Sequence, residues 1–194
     1  MADPGIFCLE GEWDHEAVTS KLSVRPLLEL IEMLDVSGGT FHRDVATREE
    51  LAYYLQRWAD DEEVDFPVAY FAFHGSPGCL ALARESITLA ELAEMLGTGA
   101  AGRVIHFGTC GTLEVAPAEL TEFCRRTGLR GVTGYTRTVD WAESAGLDIL
   151  LLRELLGSAT LKPMVKRLKA NYPGAVEGLG LRVATANWVL PADA

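Results

Sequence analysis

No run in this sequence approaches the ~20 consecutive apolar residues that a membrane-spanning helix requires, so a bilayer-embedded protein is not expected. The opening Met1-Ala2-Asp3-Pro4-Gly5 lacks the basic and apolar stretches of a secretion signal. Basic residues are scarce: 17 Lys and Arg against 28 Asp and Glu leave a formal charge of −11. That balance argues against a broad nucleic-acid or anionic-membrane surface, since both demand a basic face. The four cysteines, Cys8, Cys79, Cys110 and Cys124, contain no CxxC pair. Without a secretion signal, that pattern predicts reduced thiols in a cytoplasmic protein and gives no zinc spacing. No metal or cofactor is expected. There is no internal repeat, long linker or low-complexity tract either, so residues 1–194 are expected to form a single domain.

What the chain does have is apolar material, 48% of its residues, enough for a sizeable core. Short apolar blocks at Ile6–Glu10, Thr40–Asp44, 68–73, Val104–Phe107, Gly131–Tyr135 and 181–186 read as strands, with 79–83 as a hairpin arm. Between them, helical spacing marks 24–35, a helix after Thr47, Leu89–Leu96, 119–127, 145–156 and 164–171. Thr47 followed by Glu50, and Thr88 followed by Glu91, are N-terminal capping signals. Six strands interleaved with helices predict an α/β sandwich of three layers, with a mostly parallel sheet covered by helices on both faces. Segments 68–73 and Val104–Phe107 are apolar on both faces, as central strands must be.

Gly97-Thr98-Gly99-Ala100-Ala101-Gly102 matches the dinucleotide fingerprint, but a helix precedes it and a strand follows. The fingerprint needs the reverse order, so that pyrophosphate meets free N–H groups at a helix start; these glycines are expected to end a helix and turn.

Function in such sheets gathers beyond the carboxyl ends of the strands. Two apolar segments end there in reactive residues: Ala69-Tyr70-Phe71-Ala72-Phe73-His74-Gly75, and Val104-Ile105-His106-Phe107-Gly108-Thr109-Cys110-Gly111. If the two strands are neighbours, an imidazole faces a thiol. His74 then acts as general base and Cys110 as nucleophile. The flanking glycines allow close approach and free the Gly75 and Cys110 N–H groups to form an oxyanion hole. His106, in mid-strand, is expected to be a hydrogen-bonded interior histidine. His15 and His42 have no motif around them. Cys79, beside the site in the hairpin, is expected to pack. The basic run Lys162, Lys166, Arg167, Lys169 is expected to be a solvated helix face.

These motifs together resemble the caspase-like cysteine peptidases, most closely the CHAT domains, which are related to separases. The resemblance rests on His74-Gly75, then Gly78-Cys79-Leu80-Ala81-Leu82, then Ile87-Thr88-Leu89-Ala90-Glu91-Leu92, then Phe107-Gly108-Thr109-Cys110-Gly111-Thr112. It continues through Gly131-Val132-Thr133-Gly134-Tyr135-Thr136-Arg137-Thr138-Val139-Asp140 and covers roughly residues 68–156. Thr109 replaces a commoner Ala, Tyr135-Thr136 replaces a frequent Leu-Trp, and the His–Cys spacing of 36 is shorter than the roughly 50 of caspases proper. The resemblance implies a caspase-like fold and a cysteine endopeptidase. It places Asp140 as a pocket acid receiving a basic side chain, hence cleavage after Arg or Lys; the residue otherwise caps the following helix. Glu10 and Glu12 add negative potential to the same rim, and Trp141 walls the pocket or packs. Protein or peptide substrates and an activating partner protein are implied, with a role as a regulated effector. The alternative is a non-proteolytic binding or scaffold module in a signalling or defence assembly.

Overall fold

A computed structural model of the chain describes residues 4–14, 22–60 and 66–191; His15 and most of the acidic stretch 60–65 lie outside them. The first half contains β1 (Ile6–Glu10), α1 (Arg25–Met33), β2 (Thr40–Asp44), α2 (Arg48–Asp60) and β3 (Val68–Ala72). Then come β4 (His74–Ser76), β5 (Cys79–Ala81), β6 (Ser86–Thr88), α3 (Leu89–Leu96) and β7 (Val104–Phe107). The chain continues through α4 (Pro117–Thr127), β8 (Gly131–Tyr135), α5 (Trp141–Gly157), α6 (Leu161–Asn171) and α7 (Pro173–Gly178). It ends in β9 (Leu181–Ala184) and β10 (Val189–Leu190).

Seven strands form one sheet in the order β10-β9-β8-β7-β3-β1-β2. The five from β2 to β8 run parallel, while β9 and β10 turn antiparallel at one edge. Parallel neighbours need crossovers, and each crossover here carries a helix, which explains the alternation seen in the sequence. The sheet has one strand more than expected, because β10 is only two residues long and leaves no periodic trace. A separate three-stranded antiparallel sheet, β4-β5-β6, follows β3.

The period-two alternation of the strands sorts the interior into two cores. Phe7, Leu9, Phe71 and Phe107 pack with Trp58, Leu92 and Phe123 of α2, α3 and α4. Ile6, Cys8, Val68 and Tyr70 pack with Leu28 of α1, Leu151 of α5, Met164 of α6 and Val176 of α7. Helices therefore cover both faces of the sheet.

Local signals hold where their chemistry is self-contained. Thr88 accepts from the Glu91 N–H and Glu91 reaches back to the Thr88 N–H, completing a capping box. Thr47 does the same with Glu50. Gly97 ends α3, and the glycine run that follows is a turn into β7, not a nucleotide site. No helix among the described residues is long and apolar enough to cross a membrane.

Candidate active site

β3 and β7 are hydrogen-bonded neighbours, with Phe71 opposite Phe107. Both strands leave the sheet at its carboxyl edge, one into Phe73-His74-Gly75 and the other into Gly108-Thr109-Cys110. The turn bearing Cys110 is tied to the hairpin bearing His74. Gly78 N–H donates to Thr112 O (3.1 Å), Thr112 Oγ1 donates to Cys79 O (3.0 Å), and Thr109 Oγ1 donates to Thr112 Oγ1 (2.6 Å). Thr109 thus braces Thr112, whose hydroxyl and carbonyl make the two bonds to the hairpin.

Gly75 is where the two segments touch. A methyl group added there would sit 2.3 Å from Thr112 Oγ1 and 2.7 Å from Cys110 O. Only hydrogen fits, so the Gly after His74 brings backbone against backbone. β4 and β5 pair Ser76 with Cys79 across a two-residue turn, and Gly75 with Leu80 next. Residues flanking such a turn form the hydrogen-bonded pair, so alternation leaves the Gly75 N–H facing away from β5. Gly111, at φ +63°, reverses the other segment. Its N–H donates to Arg137 O (2.9 Å), and Glu114 N–H donates to Gly111 O (2.9 Å). Neither bond uses the Cys110 N–H.

His74 is exposed, and its Nε2 lies 2.9 Å from the Trp13 carbonyl oxygen. A carbonyl can only accept, so Nε2 donates its proton to it, which makes Nδ1 the basic nitrogen of the neutral ring. The Trp13 ring meets the imidazole edge-on at 5.2 Å and the Trp141 ring edge-on at 4.6 Å. Trp13 is itself anchored by Glu10, which accepts its indole Nε1–H at 2.5 Å. Sequence reasoning missed Trp13: it lies in a loop without periodicity, and its contribution to His74 is a main-chain atom that any residue carries.

His74 and Cys110 line one cavity of about 620 Å³. Trp13, Leu27, Phe73, Val139, Trp141 and Ile149 contribute apolar wall, and Tyr70 and Asp148 also reach it. Asp148 is buried and is the centre of a polar cluster. It accepts from His106 Nε2 (2.7 Å), Tyr70 OH (2.8 Å) and Tyr135 OH. His106 Nδ1 in turn meets Thr133 Oγ1 (3.0 Å), as an interior histidine should. Tyr135 finds its partner in this carboxylate. Asp148 carried a sequence signal, as a lone carboxylate among Leu147, Ile149 and Leu150.

The expected pocket residues divide. Trp141 stands in the cavity wall, 40% exposed. Asp140 caps α5, its Oδ1 accepting from Ala142 N–H (2.9 Å) and Glu143 N–H (3.1 Å), and its neighbours Val139 and Trp141 line the cavity without it. Glu10 does not stand on an open rim: it is 1% exposed. It accepts from His42 Nε2 (2.6 Å), Ser23 Oγ (2.7 Å) and Val24 N–H (2.8 Å) as well as Trp13. Burial pushes its carboxyl up, but the bonds from His42, Trp13, Ser23 and Val24 outweigh that and hold it below the usual range. Glu10, His42 and Asp44 bring one ligand atom each within 4.8 Å of one another. Arg25 Nη2 donates to His42 Nδ1 at 3.1 Å and His42 Nε2 meets Glu10, so both ring nitrogens are taken by hydrogen bonds.

All four cysteines are free thiols; Cys8 and Cys124 are buried, Cys79 and Cys110 partly open. Burial raises the Cys8 thiol well above its ordinary range and pushes Cys124 up to about 12. Brief iodoacetamide treatment of the folded protein should therefore label Cys110 and Cys79 and spare Cys8 and Cys124. Peptide mapping checks this, and early labelling of Cys124 would contradict the packing described.

The profile of a protein family described as a family of unknown function (DUF6642) matches residues 3–184. No curated protein matches the chain.

Proposed function

The chain belongs to the DUF6642 family of unknown function, and we propose that it is a cysteine endopeptidase of the caspase-like kind, with His74 as base and Cys110 as nucleophile. One observation carries the reading: both residues open onto one cavity at the ends of adjacent parallel strands, with His74 Nε2 held by the Trp13 carbonyl. A nucleophile, a base and a third group that orients the base are what acyl transfer needs. The order β8-β7-β3-β1-β2 of parallel strands, the hairpin after His74 and the helices on both faces support the CHAT-like resemblance.

In this mechanism His74 Nδ1 takes the Cys110 thiol proton, and the sulfur attacks the scissile carbonyl carbon. The Gly75 and Cys110 N–H groups hold the oxyanion. Collapse expels the amine, which receives the proton from His74 and leaves a thioester on Cys110. Water then attacks the thioester, giving its proton to His74, and the acid and free thiol are released. No metal takes part in this scheme.

The walls favour a particular side chain at the cleaved position. The sequence suggests Arg or Lys through Asp140, but that carboxylate is committed to the helix start. Asp148, the carboxylate that does reach the cavity, already receives three donors. A large apolar or aromatic residue fits Trp13, Leu27, Val139, Trp141 and Ile149 better.

The test is an intact-mass assay with peptidyl acyloxymethyl ketones ending in Phe, Leu, Arg, Lys or Asp. The expected result is a single adduct on Cys110, strongest with Phe or Leu, absent in Cys110→Ala and slowed about 100-fold or more in His74→Ala, the range a general base supplies. A preferred Arg or Lys adduct would restore the basic specificity. No adduct from any probe on the folded protein would overturn the peptidase and leave the cleft as a binding module.

A further inference from the structure

A second cavity, about 710 Å³, opens at the antiparallel edge of the sheet. The basic run of α6 is exposed, as expected, and three of its cations also border this cavity. Lys162, Lys166 and Lys169 succeed one another along one side of the helix and line this cavity, joined by Arg137 from the segment after β8. In a chain of net charge −11, four cations converge here against two carboxylates, Glu114 and Glu177. Glu177 is taken by Lys169 (3.3 Å), and no ion pair of Lys162 or Lys166 occurs among the described residues. Val165, Val176, Leu181 and Leu190 supply an apolar lining.

Arg137 also joins this cavity to the cysteine turn. Its guanidinium rests on Gly178 O (3.4 Å), and its main-chain oxygen accepts the Gly111 N–H beside Cys110 (2.9 Å). Glu114, on the same cavity, donates its N–H to Gly111 O. The main chain of Arg137 is thus one hydrogen bond from the residue after the thiol, and its side chain lines the cavity.

We propose that this cleft is an effector site for a small organic dianion with an apolar body, and that its occupancy alters the reactivity of Cys110 through Arg137 and Gly111. The apolar lining selects the body, while the cations select two acidic groups. Coupling then amounts to a ligand preferring one setting of the Arg137–Gly111 bond. The binding claim stands without the peptidase reading; the coupling claim concerns the same cysteine.

The test uses bis-anilinonaphthalene sulfonate, an aromatic dianion whose fluorescence rises on binding, with the whole protein. Wild type should bind with a salt-sensitive affinity that falls about tenfold or more in Lys162→Ala/Lys166→Ala. Both lysines are exposed, so the fold is retained, and Lys162→Arg/Lys166→Arg should keep the affinity. Equal affinity in wild type and the alanine pair would overturn the site. Iodoacetamide labelling of Cys110 measures the coupling and needs no substrate. Saturating probe should change its rate about fivefold or more in wild type and leave the alanine pair unchanged. Binding with no change in labelling would overturn the effector role. Failure of the peptidase reading appears separately, as missing ketone adducts with both results here intact.

Discussion

Replacing Asp148 by leucine should cost the fold about 3–5 kcal/mol, the range found when one partner of a buried charged network is removed. The carboxylate is the shared acceptor of His106 Nε2, Tyr70 OH and Tyr135 OH, so its loss strands the first two donors and leaves Tyr135 OH only a long bond to Ser144 O (3.5 Å). Asp148→Asn keeps one acceptor oxygen and should cost about 1–3 kcal/mol, the penalty for an unsatisfied buried group. Urea unfolding separates the two, and a loss below about 1 kcal/mol in Asp148→Leu would show that the cluster contributes little beyond an apolar replacement. The site should suffer as well. Gly108, two residues before the cysteine, packs so closely on Tyr70 that an added methyl group would lie 2.3 Å from its ring. If Tyr70 turns, the end of β7 moves with it.

The same cluster sets an alkaline limit. Burial first and Asp148 second raise the Tyr70 and Tyr135 phenols well above the ordinary tyrosine range. The folded pKa exceeds the unfolded one, so this contribution is fully present at neutral pH. It is lost as pH climbs beyond the ordinary tyrosine range toward the folded value. In Asp148→Leu that alkaline dependence should shrink along with the stability.

The parts legible in the sequence share a property: their signal is local. Thr88 and Glu91 cap each other within one turn, Gly97 ends its own helix, and the strands leading to His74 and Cys110 are written in consecutive apolar residues. The adjacency of those strands, the condition for the imidazole to face the thiol, is met by the pairing of Phe71 with Phe107. What stayed hidden depends on distant partners. The start of α5 at Trp141, ahead of the apolar periodicity, follows from the Asp140 side chain accepting two N–H groups of the first turn, those of Ala142 and Glu143. α7 and β10 are too short to show a period. Trp13 acts on His74 through a carbonyl 61 positions away in the chain, which no residue-type pattern encodes. Glu10, readable as a rim acid because it ends a strand, is drawn inside by four donors from other segments.

Glu10 is the more informative of the remaining targets because it joins stability to chemistry. Glu10→Ala removes the acceptor for Trp13 Nε1, His42 Nε2, Ser23 Oγ and Val24 N–H, and should lower stability by about 3 kcal/mol. It should also slow acylation of Cys110 about tenfold or more, as part of the general-base contribution is lost when Trp13 no longer fixes His74. The pH dependence separates this route from a general weakening of the fold. The Glu10 carboxyl is held below the ordinary glutamate range by its four donors, against the upward push of burial. Its contribution is thus fully present above that range and disappears as pH falls through the depressed folded value. Urea unfolding of wild type from neutral into acid pH should show that loss, while Glu10→Gln, which cannot titrate, should start less stable and change less across the same window. Acylation in the refolded and demonstrably native Glu10→Gln protein then decides the connection. Reduced acylation there means that the carboxylate acts through Trp13 on the base; acylation at the wild-type rate means that the Trp13 carbonyl holds His74 without help from Glu10.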